Sequence, residues 1–129
     1  MHFGYSIFYV QDVPATLAFF RQAFALEVAF VHESGMYGEL ATGQTKLAFA
    51  ALELSQLNFA GGVTANSLHQ PPQASEIGLV TEDVAKAYQT ALAAGASALA
   101  EPKVKPWGQT VAFLRTPQGL LVELCSPLG

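Results

Sequence analysis

The sequence holds a single cysteine, Cys125, in 129 residues, so no disulfide can form within the chain. Charge is scarce: Asp, Glu, Lys and Arg make up 12% of the residues, where roughly a quarter is usual. The six basic residues are spread along the chain and the formal net charge is -4. Without a basic cluster there is no electrostatic footprint for nucleic acid or for an anionic membrane surface. No apolar run approaches the roughly 20 residues needed to span a bilayer. The opening MHFGYSIFYV has neither a basic stretch nor a cleavage site. A reduced, cytoplasmic protein is the expectation from these absences.

What is present is apolar. Hydrophobic residues make up 51% of the chain, far from the composition of disordered segments. A length of 129 residues suits one domain. A chain of this size buries roughly two-thirds of its extended surface, enough for a core without staples. Surface with few charges often meets something, so a homodimer is expected.

Along the chain, residues 3–10 (FGYSIFYV) are aromatic and β-branched, which suits a strand. Asp12 and Pro14 then mark a helix start. Leu17, Phe20 and Phe24 recur at helical spacing. Residues 27–33 and 36–42 alternate as strands around the Ser34-Gly35 turn. Gly43-Gln44 turns the chain into a strongly apolar strand over 45–52. Residues 53–72, with Gly61-Gly62 and Pro71-Pro72, read as a connection with room for a short helical turn. The order then restarts. A strand spans 76–81, Asp83 opens a helix carrying Val84, Tyr88, Ala91 and Leu92, and Gly95 stands where a left-handed stop belongs. Strands follow at 97–104, 111–116 and 120–125, the last two joined by Pro117-Gln118-Gly119.

Strand, helix and three strands thus occur twice, an internal repeat. Tyr9-Val10-Gln11-Asp12-Val13 matches Val80-Thr81-Glu82-Asp83-Val84. Leu40-Ala41-Thr42-Gly43-Gln44 matches Leu114-Arg115-Thr116-Pro117-Gln118. The expected organisation is one α+β domain over 1–129, with module one at 1–52, a connection at 53–72 and module two at 73–129.

The stretch FYVQDVPATLAFFRQAFALEVAF resembles the opening module of the vicinal oxygen chelate (glyoxalase / bleomycin-resistance / extradiol-dioxygenase) superfamily. WGQTVAFLRTPQGLLVEL resembles its closing signature, W-G-x-x-x-x-[FY]-x-x-D-P-x-G-x-x-x-E-L, with Thr116 in place of the Asp. Ala25 stands where a helix-ending Gly is usual, which implies a less sharp stop. The resemblance covers nearly all of the chain except 53–72. It implies two tandem βαβββ modules forming a curved, barrel-like mixed sheet around a concave cleft, and in many members a pair of chains.

Enzymes of that superfamily hold a divalent metal with one side chain from the first and one from the last strand of each module. Counting back seven residues from Asp12 and Asp83 gives Tyr5 and Glu76; the Glu of E-L is Glu123, and its counterpart by the turn match is Phe49. Two rings and two acids, with no imidazole, make a poor transition-metal set. His2, His32 and His69 fall at none of these positions, and a solvent-exposed or structural role suits each. No metal, no other cofactor and no catalytic residue are therefore expected. Strand alternation puts Phe3, Ile7 and Tyr9 beside Tyr5, Leu47 and Ala51 beside Phe49, Gly78 and Val80 beside Glu76, and Leu121 and Cys125 beside Glu123. Trp107 and Phe113 join the ligand-binding set, and Tyr37 is a further candidate. Mostly apolar walls with a few polar anchors are typical of ligand pockets. Rings beside acids suit cations.

The resulting expectation is a metal-free binder of a bulky aromatic or cationic small molecule, similar to the drug-sequestering bleomycin-resistance branch and not an enzyme. The alternative is a metal-dependent lyase, isomerase or dioxygenase using Glu76 and Glu123. A third, metal-free enzyme with one of these acids as general base lacks any nucleophile–base arrangement.

Overall fold

The structure, a computed structural model, describes residues 1–128. The chain forms two compact units, one over Met1–Ala65 and a second that begins at Asn66. The first contains β1 (Tyr5–Val10), α1 (Val13–Phe24), β2 (Val28–Val31), β3 (Tyr37–Leu40), β4 (Lys46–Ala51) and α2 (Leu52–Asn58). The second contains β5 (Ile77–Val80), α3 (Val84–Ala93), β6 (Ser97–Val104), β7 (Thr110–Arg115) and β8 (Leu121–Cys125). Each builds one four-stranded mixed sheet, in the orders β1-β4-β3-β2 and β5-β8-β7-β6. The first and last strands of each unit pair in parallel and the other neighbours are antiparallel. The α+β repeat read from the sequence is present. The connection differs in one respect: residues 52–58 form a full helix, α2, within the first unit.

The two long helices start alike. The Asp12 carboxylate accepts from the Ala15 N–H at 2.9 Å, and the Asp83 carboxylate from the Lys86 N–H at 3.0 Å. Both satisfy first-turn donors that the helix itself leaves free. The end of α1 corrects the sequence expectation. Ala25 stops it sharply, taking a left-handed conformation with φ 56° and ψ 32° while its N–H bonds the Arg21 carbonyl at 3.0 Å. The residue does what glycine does elsewhere, against the crowding between a Cβ and the following carbonyl.

Each sheet buries one face under its helix. In the first unit Val13, Leu17 and Phe20 of α1 are buried. The Phe20 ring lies 4.9 Å from the Phe49 ring, and Phe8 lies 6.5 Å beyond on the neighbouring strand. The helix approaches β3 closely, for a Cβ on Gly38 would stand 2.5 Å from Leu17 Cδ1. In the second unit Val84, Tyr88 and Ala91 of α3 are buried with Leu114, Val122 and Leu124 of β7 and β8.

Phe49 is therefore a core residue at 0% exposure, not a lining residue, and Leu47 and Ala51 point the same way. The cause is a count along the chain. Five residues before the caps stand Ile7 and Gly78; Ile7 pairs with Ala48 and Gly78 with Glu123. The counterpart of Glu123 is Ala48. The β7–β8 connection is one residue longer than the β3–β4 connection: Glu39 pairs with Ala48, whereas Phe113 pairs with Glu123. A slip of one residue moves a side chain to the other face.

Phe49→Ala should cost about 3–5 kcal/mol of stability, whereas Tyr5→Ala should stay within about 0.5 kcal/mol; urea unfolding of both variants checks this. Ala25→Gly should raise stability by about 1 kcal/mol by relieving the left-handed strain, read as a higher urea midpoint at unchanged slope.

Candidate functional site

Opposite each helix lies a second sheet face that carries both rings and acids. In the first unit β1 presents Tyr5 and Ile7, 55% and 44% exposed, with Tyr9 following in alternation. Tyr37 and Glu39 of β3 pair with Ala50 and Ala48, which puts them on this same face. The Tyr37 hydroxyl donates to Glu39 Oε2 at 2.8 Å. Phe30, paired with Glu39 from β2, sets its ring 6.4 Å from that of Tyr37. Burial, the hydrogen bond to Glu39 and the nearby Glu39 charge all push the Tyr37 phenol above its ordinary value, with a smaller contribution from Tyr5. Tyr37 stays a neutral donor and holds the Glu39 carboxylate in place.

In the second unit the corresponding face carries Gly78 and Val80 of β5, Val111 and Phe113 of β7, and Glu123 and Cys125 of β8. Glu76 precedes β5. Its carboxyl is within hydrogen-bonding reach of Glu123. Desolvation, that hydrogen bond and the Glu123 charge raise its pKa above the ordinary carboxylate range. A like charge nearby disfavours the ionised form of Glu76. The buried Cys125 thiol is pushed up as well, first by burial and then by Glu123. It is held as a thiol, which suits a wall better than a nucleophile.

Trp107 stands apart on the β6–β7 turn, 64% exposed. Its Nε1 donates to Gln109 Oε1 at 2.8 Å, and Gln109 Nε2 donates to the Ser126 carbonyl at 2.7 Å. The indole is thereby tied to the residue following β8. His32 is occupied locally, with Nδ1 2.8 Å from Ser34 Oγ and accepting from the Ser34 N–H in a turn.

Of the residues read from the sequence, Tyr5 and Ile7 share the open face of the first sheet, and Glu123 and Phe113 that of the second with Glu76 beside them. Phe49 is on the covered face of its sheet. Glu39 and Phe30 were missed. They lie on β2 and β3, which counting from the helix caps does not reach, although Tyr37-Gly38-Glu39 alternates visibly.

A family-type divalent metal fits these residues poorly. The positions are Tyr5 and Ala48 in the first unit and Glu76 and Glu123 in the second: a phenol, a methyl and two carboxylates. Hard divalent ions take six or more oxygens, or several waters, and softer ones favour imidazole or thiolate. Among the described residues no three His, Cys, Asp or Glu side chains gather as a metal would require.

Glu123→Gln should lower the Glu76 pKa toward the ordinary range. A carboxyl raised in the fold holds a proton that the unfolded chain has lost, so stability falls as pH climbs from the unfolded value through the folded one. The wild type should lose melting temperature across that window, and the variant should lose less; thermal melts between pH 4 and pH 8 measure it.

A family model described as the Glyoxalase/Bleomycin resistance protein/Dioxygenase superfamily matches residues 2–124. Among solved structures, a glyoxalase-related enzyme from Fulvimarina pelagi aligns at TM-score 0.84 and 17% identity, covering 98% of this chain and 88% of that one. A glyoxalase/bleomycin resistance protein/dioxygenase family enzyme from Burkholderia phytofirmans PsJN aligns at 0.77 and 21%, covering 98% of each chain. The hypothetical protein SA1046 from S. aureus aligns at 0.79 and 16%, covering 98% and 94%. At these identities the likeness is one of fold. No functionally curated protein matches the chain.

Proposed function

The chain belongs to the Glyoxalase/Bleomycin resistance protein/Dioxygenase superfamily, and from that premise we propose that it is a metal-free protein that binds and sequesters a small aromatic or cationic compound of the antibiotic class. One observation carries the reading: the sheet faces left open by the helices hold rings next to carboxyl groups, with Glu123 on the same face as Gly78, two residues along from Glu76, and its charge raising the Glu76 pKa. An organic cation arriving there relieves the repulsion between two acids. A flat or quaternary cation over Tyr5, Tyr37 or Phe113 gains about 0.5–2 kcal/mol per ring contact. Sequestration needs no reaction. Burial between ring faces and one or two charge-assisted hydrogen bonds suffice to hold a drug away from its target.

Pairing of two copies belongs to the same reading, supported by the scarcity of charge. So does residence in a reducing compartment, supported by the lone buried Cys125.

A second reading, a metal-dependent lyase, isomerase or dioxygenase, draws on the same two acids at the family's ligand positions. The phenol and the methyl at the other two positions weaken it. Fold alone is a weak warrant for chemistry.

Titrating a panel of aromatic cationic antibiotics against the fluorescence of the single tryptophan, Trp107, should give saturable binding. Glu123→Gln should weaken it by about tenfold or more, with neutral aromatic analogues affected less. Absence of saturable binding across the panel sinks the proposal. Metal analysis of protein purified without chelators separates the alternative: stoichiometric metal that is lost on Glu123→Ala would establish it.

A further inference from the structure

The segment that joins the two units is docked at both ends, and the docking rests on a buried arginine. Arg115 of β7 is 7% exposed, and its hydrogen-bond partners are all backbone carbonyls. Its Nε and Nη2 donate to the Gly119 carbonyl at 3.1 and 2.8 Å. Nη2 also donates to the Ser67 carbonyl at 3.0 Å, and Nη1 to the Gln70 carbonyl at 2.6 Å. Burying a guanidinium is costly unless its donors are satisfied. The connecting segment supplies two of the three carbonyls.

Gly119 gives an independent sign of the same contact. It has φ +86°, and a Cβ there would stand 3.1 Å from the Ser67 nitrogen and 3.3 Å from the Asn66 carbonyl carbon. The backbone of the segment lies directly on the β7–β8 turn. Within the segment, Gln70 N–H donates to the Ser67 carbonyl at 3.1 Å and Gln73 N–H to Asn66 Oδ1 at 3.1 Å.

The other end is held by the first unit. Buried Ser55 of α2 accepts the Val63 N–H at 3.3 Å through its hydroxyl, which itself donates to the Leu52 carbonyl at 2.7 Å. Gly62, with φ +60°, lies so close that a Cβ would stand 2.9 Å from Ser55 Oγ. Between Val63 and Asn66 only Thr64 and Ala65 remain. Both are exposed, and among the described residues neither takes part in a hydrogen bond.

We infer that residues 66–73 are a strap latched onto the second unit by Arg115, and that the unanchored part of the connection is Thr64–Ala65 alone. Latched, the tether from Val63 to Asn66 spans at most about 11 Å; released up to Glu76 it would span up to about 45 Å. Arg115 thus sets the working length of the connection.

Limited digestion of the full chain with proteinase K, with fragments identified by mass, tests it. In the wild type the first cut should fall at Thr64–Ala65, with 67–73 cut at least tenfold more slowly. Arg115→Gln should speed cutting within 67–73 at least tenfold and change cutting at Thr64–Ala65 less than twofold, with circular dichroism verifying the fold. Should that variant fail to fold, Asn66→Ala removes only the acceptor for Gln73 and should speed cutting beside Gln73 severalfold. A wild type cut first within 67–73, or a folded variant of either kind with an unchanged pattern, overturns the inference.

Discussion

A sheet has two faces, and a βαβββ unit has one long helix to cover them. That constraint governs everything else in this protein. Because successive side chains of a strand point to opposite sides, the choice of which set meets the helix decides which set is left over. In the first unit Phe8 and Phe49 go under α1 with Phe20, and Tyr5, Ile7, Tyr37 and Glu39 are left on the far side. In the second, Val122 and Leu124 go under α3, and Glu123 and Cys125 are left. The covered sets are mainly apolar, Ser6 at the start of β1 being an exception. The uncovered sets mix rings with acids, which a sealed core does not tolerate without partners.

The electrostatics follow from that partition. A carboxyl pair such as Glu76 and Glu123 would be expelled from the helix side by desolvation; on the open side it is only strained. The strain appears as the raised pKa of Glu76 and the suppressed ionisation of Cys125. In the first unit the same tendency is answered locally, because the Tyr37 hydroxyl donates to Glu39. The two open faces are thus chemically different: one holds a satisfied acid among four rings, the other two acids of which Glu76 is pushed toward its protonated form by Glu123. A ligand that offers a positive charge has most to gain at the second, and one that offers flat surface has most to gain at the first.

Much of this was legible from the chain. The caps at Asp12 and Asp83 mark equivalent helix starts, so Tyr5 and Glu76 could be placed by counting seven residues back, and helical spacing identified Leu17 and Phe20 as core. The failure at Phe49 is informative. Matching the turns Gly43-Gln44 and Pro117-Gln118 residue for residue hides one extra residue in the second turn. Because strand alternation has period two, that one residue exchanges a core phenylalanine for Ala48. Turn length is set by backbone geometry, such as the positive φ of Gly119 under the docked segment, and no hydrophobic pattern reports it. Ala25 failed for a similar reason, since tertiary packing can hold a non-glycine residue in a left-handed cap that local preference disfavours. Only a short helical turn was legible where α2 lies, because its seven residues bury a single side chain, Ser55, and leave Leu57 exposed, so no apolar stripe marks it.

The most direct test of this partition is nuclear magnetic resonance of the aromatic and carboxyl side chains during titration with benzyltrimethylammonium, a small aromatic cation. Saturating shifts at Tyr5, Tyr37, Glu76 and Glu123, with Phe8 and Phe49 unmoved, are what a covered face and an open face require. Shifts centred on Phe49, or none on any of these side chains, would contradict it.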